Sequence, residues 1–439
     1  MPAAAQTALF ARDPIRFLDR CLDRHGRCFT VRLLVFGTLV YVVDEAGARE
    51  VFHGDPAVFR AGDAYRVMEP VVGRSSILRL DGAEHLRMRR MMTGAFRAEV
   101  AARHRERIAA IADAAVDRWP VGRSFPLRPE LQAIALRVIV EVLFGIDDPG
   151  RADAFAAEVD ALRDHGNLFM LLSQVRVELG GLTPWGRIKR RLDALDALIA
   201  GELTRRRAAG VPSGADALSH LLAARDERGA PLDDRTVRDQ LMSLLFAGHE
   251  TSATTLAWLF ERLVRHPQAR ERAAADATYL EAALQEAMRL RPVLPDASRH
   301  LAAPARVMGF DLPAGVTVVI PFTHLHRLAH RFPQPDLFRP ERFLPGPPDA
   351  QTWIPFGGGT RRCLGAHFAT AEMTAVAAAV LARLPRLRPA RSADERQVLE
   401  GITLVPERGA EVIADARVHV PAAGSPPAML ESPVSRDRP

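Results

Sequence analysis

The stretch that most constrains this chain is Phe356-Gly357-Gly358-Gly359-Thr360-Arg361-Arg362-Cys363-Leu364-Gly365-Ala366. It joins an apolar lead-in (Trp353, Ile354, Pro355) to an alanine-rich run that predicts a helix from about His367 to Ala382. A single cysteine therefore stands at the mouth of a helix, behind three glycines and beside two arginines. Helix N-termini carry partial positive charge and unpaired N–H groups, and a thiolate placed there is stabilised as the anion. Glycines let backbone N–H groups come close to the sulfur, because no Cβ intervenes and positive φ costs little. Hydrogen bonds to a thiolate limit how much electron density it donates to a metal. From the residues alone this is a thiolate ligand with a cationic collar. The alternative is a glycine loop that starts a helix and carries an incidental buried cysteine.

Three further stretches break local rules. Within the longest predicted helix, 233–264, lies Leu244-Leu245-Phe246-Ala247-Gly248-His249-Glu250-Thr251-Ser252-Ala253-Thr254-Thr255. Glycine in mid-helix costs ~1 kcal/mol against alanine, and hydroxyls divert backbone hydrogen bonds. Such a lapse in an apolar helix marks either a functional site or a polar kink. Ala247 and Gly248 leave room for a flat ligand or a diatomic molecule, and Thr251 with Glu250 can hold water and relay protons. Earlier, His85 and Arg89 stand four apart on a helix opened by Asp81, one face offering donors to a carboxylate or phosphate; a solvated basic face is the plainer reading. Finally, Glu286 and Arg289 face each other three apart among Leu284, Ala287, Met288 and Leu290. A pair that is buried there needs further hydrogen bonds, and Pro340-Glu341-Arg342-Phe343 supplies another cation.

In order and spacing these stretches resemble the cytochrome P-450 family. Phe356, Gly357, Gly359, Arg361, Cys363 and Gly365 match F-G-x-G-x-R-x-C-x-G; Ala247 to Thr251 match A-G-x-[ED]-T; His85 and Arg89 match H-x-x-x-R; Glu286, Arg289 and Arg342 match E-x-x-R with P-E-R-F. The resemblance implies a mainly α fold with small β-sheets, and haem b held between the long oxygen-binding helix and the cysteine-loop helix. It implies Cys363 as axial metal ligand, thiolate ligation favouring O–O cleavage. His85, Arg89 and Arg299 would meet the haem propionates, with Ala247, Gly248, Phe356, Gly357, Arg361 and Gly365 framing the cofactor. Thr251 would orient oxygen and its water, and Glu250 would supply protons. Glu286, Arg289 and Arg342 would lock the fold on the cysteine side.

The remaining chain is consistent with one large catalytic domain over 1–420, mostly helical, and a disordered Pro/Ser/Ala-rich tail over 421–439. Helical periods are read at 13–26, 99–118, 129–144, 151–164, 186–208 and 214–226, and hairpins at Cys28–Val43 and Val307–Ile320. Two apolar but aperiodic segments, Asp55–Asp81 and Gly166–Pro184, are expected to cover something apolar. With Leu244, Val293 and Leu294 they would supply the substrate pocket: Tyr65, Val67, Met68, Ile77, Leu78, Phe169 and Met170. His324, His326 and His330 have a zinc-like spacing, but no carboxylate or cysteine stands near them in sequence.

Net charge is +6 and almost every cation is arginine, Lys189 being the only lysine. The arginines are scattered among acids, which argues against nucleic acid and allows a basic face for an acidic protein. Cys21, Cys28 and Cys363 make no disulfide framework. The first ten residues are too short for a membrane span and lack a secretory pattern, so a cytoplasmic, monomeric protein without membrane anchor is expected. The resulting expectation is a monooxygenase acting with O2 on a lipophilic small molecule (terpenoid, steroid, fatty acid or polyketide), by hydroxylation or epoxidation. Electrons would come from NAD(P)H through a ferredoxin and its reductase, docking near Arg87, Arg90 and Arg362. A peroxide-driven peroxygenase and a non-enzymatic haem sensor or carrier are the alternatives.

Overall fold

The computed structural model describes residues 1–163, 183–210, 216–346 and 349–418. Phe169 and Met170, in the second covering segment, and the tail 421–439 lie outside the described residues. Among the described residues the architecture is mainly α with four small sheets. No helix of the described residues is long and apolar enough to cross a membrane.

The organising element is the long helix Asp234–Arg265. It begins where Asp233 accepts a hydrogen bond from the Thr236 N–H at 2.7 Å, the usual satisfaction of an orphan N-terminal donor. It stops before Pro267, which opens the next helix at a position where no N–H is needed. Its 32 residues span about 48 Å. From Leu256 to Leu263 it is buried on every side, so this half is a core axle rather than an amphipathic surface helix. The helices Leu127–Val138, Ala277–Leu290 and Ala366–Arg383 pack around it. The polar run does not kink it. Thr251 and Thr255 hydroxyls donate to the carbonyls of Ala247 and Thr251, four residues back, at 2.7 and 2.8 Å, and the helix continues through them.

Two predicted helices are interrupted. The 99–118 run divides at His104 into Ala98–Arg103 and Arg105–Val116. The 129–144 run ends in a π-helical turn, Ile139–Leu143, against the long helix. The stretch between Asp55 and Asp81, read as aperiodic, folds into short helical turns at Ala61–Ala64, Arg66–Met68 and Glu69–Val72.

The main sheet is built on the expected hairpin Cys28–Leu33 and Gly37–Val42. Thr317–Pro321 joins it in parallel, Asp296–Leu301 pairs antiparallel with that strand, and Phe59–Arg60 closes the edge. The second expected hairpin is corrected. Val307–Leu312 is not one strand paired with Val316–Ile320. Its reversal falls inside, at Met308-Gly309, both with positive φ, so Ala305–Val307 folds onto Phe310–Leu312. Positive φ at both central residues is what a two-residue hairpin loop requires. Thr317–Pro321 is left free for the large sheet, where Val318, Val319 and Ile320 are all buried, as a strand covered on both faces should be.

Candidate active site

A cavity of about 1690 Å³ runs between the long helix and the cysteine loop. Cys363 stands at its floor, three residues ahead of the helix Ala366–Arg383. The loop is closed by Cys363 N–H donating to the Phe356 carbonyl at 2.8 Å. Burial pushes the Cys363 thiol up, opposed by the Gly365 N–H donated to sulfur and by the charges of Arg362 and Arg89. The exposed surface of the residue opens into the cavity. Only Gly365 among the glycines serves the sulfur directly. Gly359 instead lets the loop lie on the preceding helix Glu45–His53: a Cβ there would stand 1.9 Å from the Phe52 carbonyl oxygen, and its φ is +64°.

Four cationic or donor groups gather beside this floor: His85, Arg89, Arg299 and Arg361. Arg361 donates to the carbonyls of Ile77, at 3.0 Å, and Leu80, and to Asp81. Its burial pulls its pKa down to about 10. Arg299 is buried, lies 5.4 Å over the Phe52 ring and donates to its neighbour's carbonyl at 2.9 Å; burial lowers its pKa too. His85 is pushed down to about 3, first by burial and then by Arg361, Arg89 and Arg299. Among the described residues no side-chain hydrogen-bond partner meets His85 or Arg89. Like charges gathered in a cavity with donors unspent are unfavourable unless an anion joins them. The thiol aimed into the same space and the two unpartnered donors fit the thiolate-bound, doubly carboxylated haem that the resemblance implies.

The long helix forms the opposite wall. Ala247 is exposed to the cavity. Gly248 also lines it, yet the space its side chain would take is shared with Ile139, whose Cδ1 lies 2.6 Å from where a Cβ would stand. Glu250 accepts from Gln132 and Arg128, and from Thr254 at 3.1 Å. Arg128 also donates to Glu400 at 3.1 Å, a residue 41% exposed in its side chain. A chain of charged groups therefore leads from near Thr251 through Arg128 to Glu400, which lines the same cavity.

Phe356, Gly357 and Gly365 complete the floor, and Tyr65, Val67, Met68, Ile77, Leu78, Leu244, Val293 and Leu294 all line the same space. Glu286, Arg289 and Arg342 stand apart from it. Arg289 makes a two-pronged pair with Glu286 at 2.6 and 2.8 Å, both side chains wholly buried. Arg342 adds a contact to the same carboxylate at 3.3 Å and the Arg339 N–H another at 2.8 Å. Arg289 also donates to the His326 carbonyl at 2.9 Å, while the His326 Nε2 accepts from the Ile354 N–H at 3.0 Å. The pair thus reaches the entry of the cysteine loop through His326. Burial, then Arg289, push His326 down to about 3. The three spaced histidines diverge, His324 to Asp19 and His330 to Glu45. No metal-binding cluster of His, Cys, Asp or Glu occurs among the described residues.

Sequence reasoning passed over Arg128, Gln132, Asp296 and Glu372. The first two are four apart on their own helix, but their partner lies on another, so no local pattern marks them. Glu372, on the cysteine-loop helix, is pushed up to about 8 by burial although Ser252 donates to it at 3.1 Å.

The model of the family described as Cytochrome P450 matches residues 5–412. A Mycobacterium tuberculosis H37Rv protein provisionally named cytochrome P450 135B1 is 38% identical over 424 residues, covering 94% of this chain and 89% of the relative. Another from that strain, provisionally cytochrome P450 137, is 34% identical, covering 93% and 87%. Among solved structures, the retinoic acid-bound cyanobacterial CYP120A1 superposes with a TM-score of 0.80 at 25% identity, covering 93% of this chain and 96% of that one.

Proposed function

The chain belongs to the cytochrome P450 family and is a haem-thiolate monooxygenase, and from that premise we propose that it oxidises a lipophilic small molecule with electrons delivered by a ferredoxin. The observation that carries the reading is a single cavity that has Cys363 on its floor, Ala247 and Thr251 opposite, and apolar walls between. The retinoic acid in the cyanobacterial structure is a lipophile of the kind such walls suit.

Haem b is the family's cofactor; when bound, it supplies the activation of O2. Cys363 would hold its iron, with the Gly365 N–H tempering the sulfur. His85, Arg89 and Arg299 would receive its carboxylates, the charge-assisted contacts that they lack among the described residues, while Arg361, already paired to Asp81, frames the cofactor. Ala247 leaves the space above open. The Thr251 hydroxyl, resting on the Ala247 carbonyl at 2.7 Å, is placed to turn and hold a water. Glu250, held by Arg128 and Gln132, would pass protons towards it, a general-acid role worth on the order of 10²–10⁴ in rate. The walls around Val293, Leu294, Met68 and Leu78 orient the substrate and keep bulk water out.

The test is a spectrum of the reduced protein under carbon monoxide, followed by turnover with a ferredoxin, its reductase and NAD(P)H. The expected results are a thiolate-ligated haem signature, lost in Cys363→Ala, and an oxygenated lipophilic product. Turnover with hydrogen peroxide alone and none through the ferredoxin would reject the electron route and favour a peroxygenase.

A further inference from the structure

Seven of the nine carboxyl groups lining the cavity are held by arginines, among them Asp63 by Arg66, Glu69 by Arg74, Asp239 by Arg238 and Glu250 by Arg128. Glu372 and Asp296 have no cationic partner among the described residues. Glu372 offers a ligand little: one oxygen accepts from Ser252 and the other is sealed in protein.

Asp296 differs. Its Oδ1 accepts from the Ser298 hydroxyl at 3.2 Å, and its Oδ2 has no hydrogen-bond partner among the described residues. It opens the strand Asp296–Leu301, where alternation sets Asp296, Ser298 and His300 on one side and Arg299 on the other. Arg299 accordingly feels Tyr65 and Asp81 rather than Asp296. Two of the chain's three tyrosines, Tyr41 and Tyr65, line the same cavity. Burial first, and then the nearby charge of Asp296, push both phenols up. Tyr41 is 1% exposed and stacked on Phe29 at 5.5 Å, so a carboxylate, the Tyr65 side chain and an opening to the cavity coincide at one place.

We propose that Asp296, with Tyr65 beside it, receives a cationic nitrogen carried by the otherwise lipophilic substrate. This deepens the proposed function and rests on its lipophilic substrate. A carboxylate facing an apolar space without a partner is poorly solvated, and an ammonium group supplies the missing charge. The aromatic side chain of Tyr65 beside it favours alkylated ammonium in particular. Burial pushes the Asp296 carboxyl up to about 6, and a cation seated against it would favour its ionised form. Asp296 is then a specificity-determining residue: it selects the substrate's head group and leaves the chemistry to the opposite wall.

The experiment is a calorimetric titration of the haem-loaded protein with dodecyltrimethylammonium, 1-dodecanol and dodecanoate, each below its micellar concentration, for wild type and Asp296→Asn. The quaternary nitrogen cannot ligate iron, so its affinity reports the protein pocket. The wild type is expected to bind the cation ~10-fold or more tighter than dodecanol, the scale of one charge-assisted contact, and dodecanoate weakest. Asp296→Asn should erase the cation's advantage and leave dodecanol unchanged. Equal binding of cation and alcohol by the wild type, an unchanged cation affinity in the variant, or an equal loss for all three ligands each overturns the assignment. If none of the three binds, the lipophilic reading itself falls, and the assignment with it.

Discussion

At the scale of single residues, burial decides which groups hold protons. Glu372 favours its neutral form because its carboxyl lies away from water with a single hydroxyl donor. Its folded pKa, about 8, stands above the ordinary glutamate value of 4.5, so its contribution to stability is complete below about 4.5 and is lost as pH rises through about 8. Glu372→Gln should therefore gain thermal stability over wild type as pH climbs across that window, read from melting midpoints at pH 5 and pH 9. A difference that stays flat with pH counts against a neutral Glu372. His326 works at the acid end. Its pKa falls from 6.5 to about 3, so the unfolded chain takes up a proton that the folded one refuses, and stability is lost as pH drops below about 6.5. Cys363 was legible at this scale from its glycines, arginines and position before a helix. Asp296 was not: in sequence it is one acid after a proline, and its isolation appears only when the arginines are seen to be engaged elsewhere.

At the scale of elements, the helix Ala277–Leu290 and the cysteine loop are joined by a buried charge. Glu286 and Arg289 have no exposed side-chain surface, and Arg289 reaches the loop through His326. Removing one member of such a pair strands the other charge, so Arg289→Ala should cost about 3–5 kcal/mol in denaturant unfolding and lower the haem content of the purified protein. Normal stability and full haem loading would show that the pair is dispensable. Gly359→Ala tests the loop's seat on Phe52. Left-handed backbone alone costs roughly 1–2 kcal/mol, and the clash with the Phe52 carbonyl adds to that, so a lower melting midpoint is expected; an unchanged one would mean that the loop moves freely. The Glu286-x-x-Arg289 spacing was readable in sequence. The hairpin at Met308-Gly309 is not legible in sequence, because a run of β-formers on both sides hides the glycine able to reverse it.

At the scale of the whole molecule, charge is distributed so that cations outnumber anions at the cavity floor, where Asp81 pairs with Arg361, while the outer face carries exposed arginines. His85, Arg89, Arg299 and Arg361 crowd one another until a carboxylated ligand joins them. Haem binds the folded state and stabilises it by mass action, so stripping haem should lower the midpoint in scanning calorimetry and let it recover on reloading; equal midpoints would deny the floor this role. Outside, Arg90 and Arg362 are exposed and Arg87 is loosely paired to Glu227 at 3.6 Å. Charge reversal of Arg87 and Arg90 to glutamate should slow reduction by an acidic ferredoxin several-fold, more at low salt than at high. An unchanged rate at every ionic strength would exclude that face.

By itself the amino-acid sequence determined what depends on near neighbours: the cysteine loop and its helix, the hydroxyl-rich segment at 247–251, the paired Glu286 and Arg289, and the family to which they point. Local spacing on a helix or in a turn follows from backbone geometry, which a few consecutive residues already specify. The tertiary structure alone decided which charges are spent and which are left over. Arg128 reaches Glu250 and Glu400, and Asp296 is left facing the cavity, because helices and strands far apart in the chain pack at angles that no short pattern encodes. Burial then turns those accidents of proximity into shifted protons and unpaired groups.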